Sequence, residues 1–189
     1  MEISMGDMDD IFNKRQSILI ANVIVDEKAA DIFVNDGGVI TAVGEGVRGQ
    51  YKGEADLVID GDGAIALPGL ANTHTHAAMS LLRGYADDMI LQDWLSQKIW
   101  PLEAHLTGHD VYWGTKLACL EMIKTGTTAF NDMYFMMDET ARAVDEAGIR
   151  AVLCYGFIDL FNPEKRENEC RATEKPAPQT RATHNPRIK

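Results

Sequence analysis

Cysteine is scarce in this chain and poorly spaced for most of what cysteine does. The 189 residues hold three, Cys119, Cys154 and Cys170, with no CxxC pair. An odd count without paired spacing argues against a disulfide framework and against a thiolate zinc site, so buried free thiols in a reducing compartment are expected. Long apolar runs are lacking too. Nothing approaches the roughly 20 residues of a membrane-spanning helix, and residues 1–10 have neither the basic nor the apolar region of a secretory leader. A cytoplasmic location is the expectation. Positive charge is also short: 18 Lys and Arg stand against 29 Asp and Glu, a net charge of -11. Such a surface repels phosphate backbones and anionic lipid, which leaves no nucleic acid and no membrane among the expected partners. The acidity itself reads as a solubility device.

What the chain does have is two kinds of pattern. Up to residue 67 it reads as short strands. Residues 17–25 (SILIANVIV) are β-branched and apolar, and residues 31–34 and 39–43 flank Asn35-Asp36-Gly37-Gly38 as a hairpin. Residues 56–60 make another short strand before Gly61-Asp62-Gly63. Close-spaced short strands suggest a small N-terminal β-sandwich part over residues 1–67. From residue 68 strands alternate with helices. Helical spacing runs over 88–100, with Pro101 as its end, then over 107–124, with Gly126 as its stop, and over 138–147, closed by Gly148. Apolar strands are expected at 64–72, 127–132 and 149–158. Alternation of this kind means βα units and a parallel sheet, an α/β class. Residues 171–189 differ in kind. They hold five basic residues and one acidic, half of the six prolines, and Ile188 as the single large apolar side chain. Such a segment cannot bury enough surface to order itself, so a disordered or out-of-frame tail is expected there.

Two histidines carry the strongest chemical signal. Side chains at i and i+2 of a strand share a face, so His74 and His76 at a strand's C-terminal end can share one cation. In a (β/α)8 barrel that end is the active face. The run Pro68-Gly69-Leu70-Ala71-Asn72-Thr73-His74-Thr75-His76 resembles the first metal motif of the amidohydrolase superfamily. The likeness continues through Met79, Leu81-Leu82-Arg83-Gly84, Asp93-Trp94-Leu95, Trp100-Pro101-Leu102-Glu103 and Gly126-Thr127-Thr128 to Asn131-Asp132-Met133-Tyr134. Together these segments resemble the methylthioadenosine/S-adenosylhomocysteine deaminase group and its archaeal 5'-deoxyadenosine deaminase relatives, over residues 17–175.

That resemblance implies a fold, a reaction and a site. The fold is the β part followed, over 68–170, by about three βα units of an incomplete (β/α)8 TIM barrel. The reaction is hydrolytic deamination of an adenosine-type nucleoside (methylthioadenosine, S-adenosylhomocysteine or 5'-deoxyadenosine) to the inosine analogue and ammonia. Its cofactor is one divalent metal ion, Zn2+ with Fe2+ as the other candidate, held in part by His74 and His76. Glu103 is the substrate-binding residue, since an ionised carboxylate accepts two hydrogen bonds from a vicinal diol. A catalytic zinc has three protein ligands, and the family takes its later ligands and its proton-shuttling glutamate from strands beyond the third. No catalytic residue is therefore assigned in this chain, and the chain alone is expected to be inactive. The longer form is expected to bind a small-molecule nucleoside and to form a homo-oligomer. Another amidohydrolase, such as a guanine or cytosine deaminase or a triazine hydrolase, and a non-catalytic binding fragment are the alternatives.

Other residues receive plainer readings. His105 and His109 lie outside the matched motifs and are taken as surface or packing residues, and His184 has no role. Asp132 ends a strand where it is given a structural hydrogen-bonding task. Met79, Leu82 and Trp94 are taken chiefly as core, with a substrate wall as the alternative. Tyr155 stands where some relatives carry an arginine, which weakens any charged contact to substrate from that strand.

Overall fold

Alternating exposure along Ile18–Val25 buries Leu19, Ala21 and Val23 on one face, and this strand, β1, is central to a four-stranded sheet. The computed structural model describes residues 16–159 and 162–173. The chain divides between Pro68 and Gly69 into two units. In the first, β1 pairs antiparallel with β2 (Lys28–Val34), and β2 pairs antiparallel with β3 (Ile40–Gly44). On the other side of β1, β4 (Leu57–Asp60) runs parallel to it. The hairpin at Asn35–Gly38 is closed by Asn35, whose backbone N–H donates to the Val39 carbonyl and whose Oδ1 accepts from the Val39 N–H.

The sandwich expected here is not what forms among the described residues, which give this unit a single sheet. A short helix, α1 (Val47–Tyr51), covers the apolar face in place of a second sheet. Val47 packs with Leu19 and Phe33, and the Tyr51 ring stacks on Phe33 with centroids 4.2 Å apart. The cover is partial, since Ile40, Val43, Leu57 and Ile59 stay 41–60% exposed.

The second unit is built from βα units. Its three strands, β5 (Leu70–Thr75), β6 (Thr127–Tyr134) and β7 (Arg150–Tyr155), pair in parallel in that order. A 3-10 turn (Ala77–Leu82) follows β5. Next come α2 (Leu91–Trp94), a π-helical turn (Leu95–Ile99) and α3 (Trp100–Glu103) in unbroken succession. Helix α4 (Gly108–Lys124) precedes β6, α5 (Met137–Ala147) precedes β7, and α6 (Pro163–Thr173) comes last. Helix α4 opens with a capping box in which Thr107 and Asp110 satisfy each other's backbone N–H. Helix α5 closes on Gly148 at φ 73°, a left-handed position that suits glycine.

The core of this unit joins the inner faces of α4 and α5 to β6 and β7. Ala118, Cys119, Phe130, Val144 and Ala151 form one cluster, and Ala78, Val111, Tyr134 and Met137 another. Helix α4 presents its small side chains inward, while Leu120 and Ile123 stand out. At Gly114 the helix meets the Ala78 backbone so closely that a Cβ would overlap the Ala78 carbonyl.

Three expectations change. Pro101 does not end a helix: it sits in the first turn of α3, where its missing N–H costs little. The wider π turn ahead of it shifts the carbonyls that its ring would otherwise meet. Of the thiols, Cys119 alone is buried, its pKa pushed up to about 11 by desolvation, while Cys154 and Cys170 are exposed, and none of the three is in a disulfide. Cys154 shares the exposed face of its strand with Val152. Helix α6 runs on to Thr173, so the start of the expected tail is helical. The remainder, 174–189, including His184, lies outside the described residues.

The contact at Gly114 yields a stability test. Gly114→Ala gains about 1 kcal/mol of helix propensity but forces a methyl against backbone that cannot rotate away. A net loss of about 1–3 kcal/mol is expected, read as a lower urea midpoint. An unchanged or raised midpoint would show that α4 can retreat from the turn.

Candidate metal and substrate site

The ladder between β5 and β6 slips at the two histidines. Asn72 pairs with Phe130, and the next register pair is Thr75 with Asp132, so an extra residue is taken up within 73–74. Side chains and carbonyls of β6 take over there. Asn131 Nδ2 donates to the Thr73 carbonyl at 3.2 Å. Thr75 Oγ1 lies 2.9 Å from the Asn131 carbonyl oxygen and 2.7 Å from Asp132 Oδ1. The Ala77 N–H donates to the same Asp132 oxygen at 2.8 Å.

His76 Nδ1 sits 2.6 Å from the Met133 carbonyl oxygen. A carbonyl only accepts, so Nδ1 carries the proton and Nε2 keeps its lone pair free for a ligand bond. The His74 ring lies beside it, 5.1 Å between centroids and nearly perpendicular, on the exposed side of the strand end. Two neighbouring imidazoles, one fixed in its ligating tautomer by a backbone carbonyl, are a donor set that suits Zn2+ or Fe2+. Among the described residues no group of three His, Cys, Asp or Glu is placed to hold a metal ion.

His76 also lines a cavity of about 360 Å³ with Glu103, Trp94, Trp100, Met79 and Tyr134. Glu103 comes from the last turn of α3 and Tyr134 from the end of β6, 31 residues on. The Tyr134 hydroxyl donates to Glu103 Oε1 at 2.7 Å. Burial, followed by this bond to a carboxylate, holds the Tyr134 phenol well above its ordinary pKa. Asp132 is fully buried, and desolvation is the largest influence on its carboxyl, raising the pKa against the bonds from Thr75 and Ala77.

The sequence-derived residues thus divide. His76 and Glu103 face one cavity, with His74 at its side. Met79 and Trp94 are in its wall and also border an adjoining, more open hollow that Leu82 lines with Arg83 and Tyr85. His105 and His109 are exposed, His109 with its ring against Trp113. Tyr134 and the Met133 carbonyl were not singled out from sequence. Their signal was the quoted Asn131-Asp132-Met133-Tyr134 segment, read as a strand ending at Asp132 when it runs two residues further.

The Tyr134–Glu103 pair has a consequence at high pH. A phenol whose folded pKa exceeds its unfolded value of about 10 contributes stability that is intact below that pH and is lost as pH rises beyond it. Urea unfolding of the Tyr134→Phe chain between pH 8 and 11 should therefore show a shallower loss of stability above pH 10 than the wild-type chain. Parallel curves would mean that the phenol ionises freely in the fold.

The model of the Amidohydrolase family matches residues 65–188. A 5'-deoxyadenosine deaminase of Methanoregula boonei is 66% identical over 179 residues, covering 95% of this chain and 40% of the relative. One from Methanospirillum hungatei is 58% identical over 174 residues, covering 92% and 39%. The chain thus spans about 40% of the length of these curated relatives. Among solved structures, a zinc-bound adenosine deaminase from Xanthomonas campestris superposes with TM-score 0.62 at 36% identity, over 72% of this chain and 32% of that one. An atrazine chlorohydrolase from Arthrobacter aurescens complexed with zinc gives 0.64 at 26%, over 75% and 36%. With a family model matched across most of its length, through the segment that bears His74 and His76, this chain belongs to the amidohydrolase family.

Proposed function

We propose that this chain carries the opening part of a metal-dependent deaminase of adenosine-type nucleosides, 5'-deoxyadenosine among them. Residues 68–170 are then the first βα units of a (β/α)8 barrel, with His74 and His76 at the active end of its first strand. The observation that carries the reading is the shared cavity: a histidine with a free Nε2 and a carboxylate already held by a phenol face one mostly apolar space. The names of the relatives, 5'-deoxyadenosine deaminase, support the substrate class.

His74 and His76 would contribute two ligands. A divalent ion, Zn2+ or Fe2+, supplies there the Lewis acidity that makes water a nucleophile near neutral pH. Glu103 accepts hydrogen bonds from the ribose hydroxyls, and Tyr134 keeps its carboxylate turned toward them. Trp94, Trp100 and Met79 give the flat purine an apolar wall and exclude bulk water, which strengthens each polar contact inside. Water replaces the amino group at C6, and ammonia leaves.

The reading is tested by ammonia release from 5'-deoxyadenosine, methylthioadenosine and adenosine with Zn2+ or Fe2+. Two proteins are compared: the 189-residue chain, and a chimera in which a curated relative supplies the part of its length that this chain does not span. The chimera should turn over nucleosides and lose activity on His74→Ala, while the chain alone should be inactive. Turnover of guanine or a triazine in place of nucleosides would favour a different amidohydrolase, and no turnover of any of them a non-catalytic role.

Glu103→Gln in the chimera tests the substrate half. Each bond to a charged acceptor is worth about 1.5–3 kcal/mol. A drop in kcat/KM of roughly ten- to a hundredfold is therefore expected for nucleosides, with little change for free adenine and none in metal content. Equal losses on nucleoside and free base would assign Glu103 to the fold.

A further inference from the structure

We infer that Asp132 is the positioning residue for His76, fixing the imidazole in its ligating tautomer by holding the residues on both sides of it. The inference rests on the metal-ligand reading of His74 and His76. It goes beyond that reading by assigning the control of the pair to a side chain that is not itself a proposed ligand.

Four observations converge on Asp132. The β5–β6 ladder slips between Asn72 and Thr75, so regular pairing does not fix the strand end where the histidines stand. His76 turns out of the strand at φ -128°, ψ 73°. Its neighbours Thr75 and Ala77 are both tied to one oxygen, Asp132 Oδ1, at 2.7 and 2.8 Å. The carboxylate is fully buried and its other oxygen, Oδ2, has no hydrogen-bond partner among the described residues.

A buried charge with an idle oxygen is costly, and an apolar side chain would fill the position at less cost if packing were its whole purpose. What an apolar side chain could not do is grip a hydroxyl and a backbone N–H two residues apart. With 75 and 77 held, the His76 ring is aimed at the next carbonyl of β6, Met133, and Nδ1 donates to it at 2.6 Å. Ring orientation and tautomer at 76 therefore follow from the residue before that carbonyl. Asparagine keeps an acceptor oxygen in the same place; alanine does not.

The test reads the imidazole directly, without metal or turnover. The 189-residue chain is labelled with 15N-histidine at pH 8, where a free imidazole is neutral, and long-range 1H–15N correlations are recorded. His76 is assigned by its loss in His76→Gln. Wild type and Asp132→Asn should show a single tautomer, Nδ1 protonated and Nε2 bare. Asp132→Ala should show the averaged nitrogens of a freely exchanging ring.

Thr75→Val removes one of the two grips without opening a cavity and should shift the nitrogens the same way, which keeps the test open if Asp132→Ala does not fold. Thr140→Ala, a buried change at the α4–α5 contact, should lower stability and leave the His76 nitrogens alone. An unchanged tautomer in both Asp132→Ala and Thr75→Val overturns the proposal. So does the same averaging in Thr140→Ala, since general loosening would then account for it.

A Co2+ titration of the metal-free chains separates this inference from the reading beneath it. If wild type binds through His74 and His76, Asp132→Ala should bind roughly ten- to a hundredfold more weakly and Asp132→Asn close to wild type. Equal affinity in wild type and Asp132→Ala overturns the positioning role while the ligand reading stands. No Co2+ binding by wild type, with the tautomers as expected, overturns the ligand reading while the hold of Asp132 on His76 stands.

Discussion

Between Asn72 and Thr75 a strand gives up its regular pairing, and the order of the site depends on what replaces it. Polar groups that leave the ladder must find other partners, and here β6 supplies them one residue at a time: the Asn131 side chain for the Thr73 carbonyl, Asp132 for the Thr75 hydroxyl and the Ala77 N–H, Met133 for the His76 ring. The extra residue frees this segment from strict alternation, so the two rings stand nearly perpendicular to each other. The 3-10 turn that follows is pinned from the other side by the close backbone approach of α4 at Gly114. A helix of small inward residues, a turn and a slipped strand end thus hold one another.

The electrostatic setting follows from the same packing. Two carboxylates lie close to the histidines, in different surroundings. Asp132 is sealed beneath the strand ends, whereas Glu103 is half-buried at a cavity wall with a phenol as its fixed donor. Hydrogen bonds gain strength where water is kept out, so a phenol that stays protonated is a dependable partner for a carboxylate.

How far the sequence could be read varies with the range of the interaction. The parallel βα order and the glycine that ends α5 are local signals and were legible. The two histidines, expected to share a strand face, do lie with rings 5.1 Å apart, but a slipped strand end and not regular alternation brings them there. The partner of Glu103 was not legible, since Tyr134 is distant in sequence and a tyrosine at a strand end reads equally well as core. The short helix on the N-terminal sheet was not legible either, because Val47 and Tyr51, set in a short stretch rich in glycine and charge, give little periodic sign of it. Exposure of Cys154 depends on which face of β7 is covered, which no window of sequence reports. Pro101 misled for a different reason: the rule that proline stops helices assumes regular turns on both sides, and the preceding turn is not regular.

The π turn at Leu95–Ile99 sets an angle. An α-helix advances about 100° of azimuth per residue, so a turn that accommodates one additional residue rephases everything after it against everything before. Leu91 and Trp94 precede the turn and Trp100 and Glu103 follow it, yet all four look into the same cavity. A strictly α-helical path over the same residues would swing the carboxylate about a quarter of the way around the axis, away from the phenol that orients it. The helix thus acts as a two-part key whose halves are clocked to each other by one loose turn. Adding or removing one residue between Trp94 and Trp100 would turn Glu103 by about 100° against Trp94.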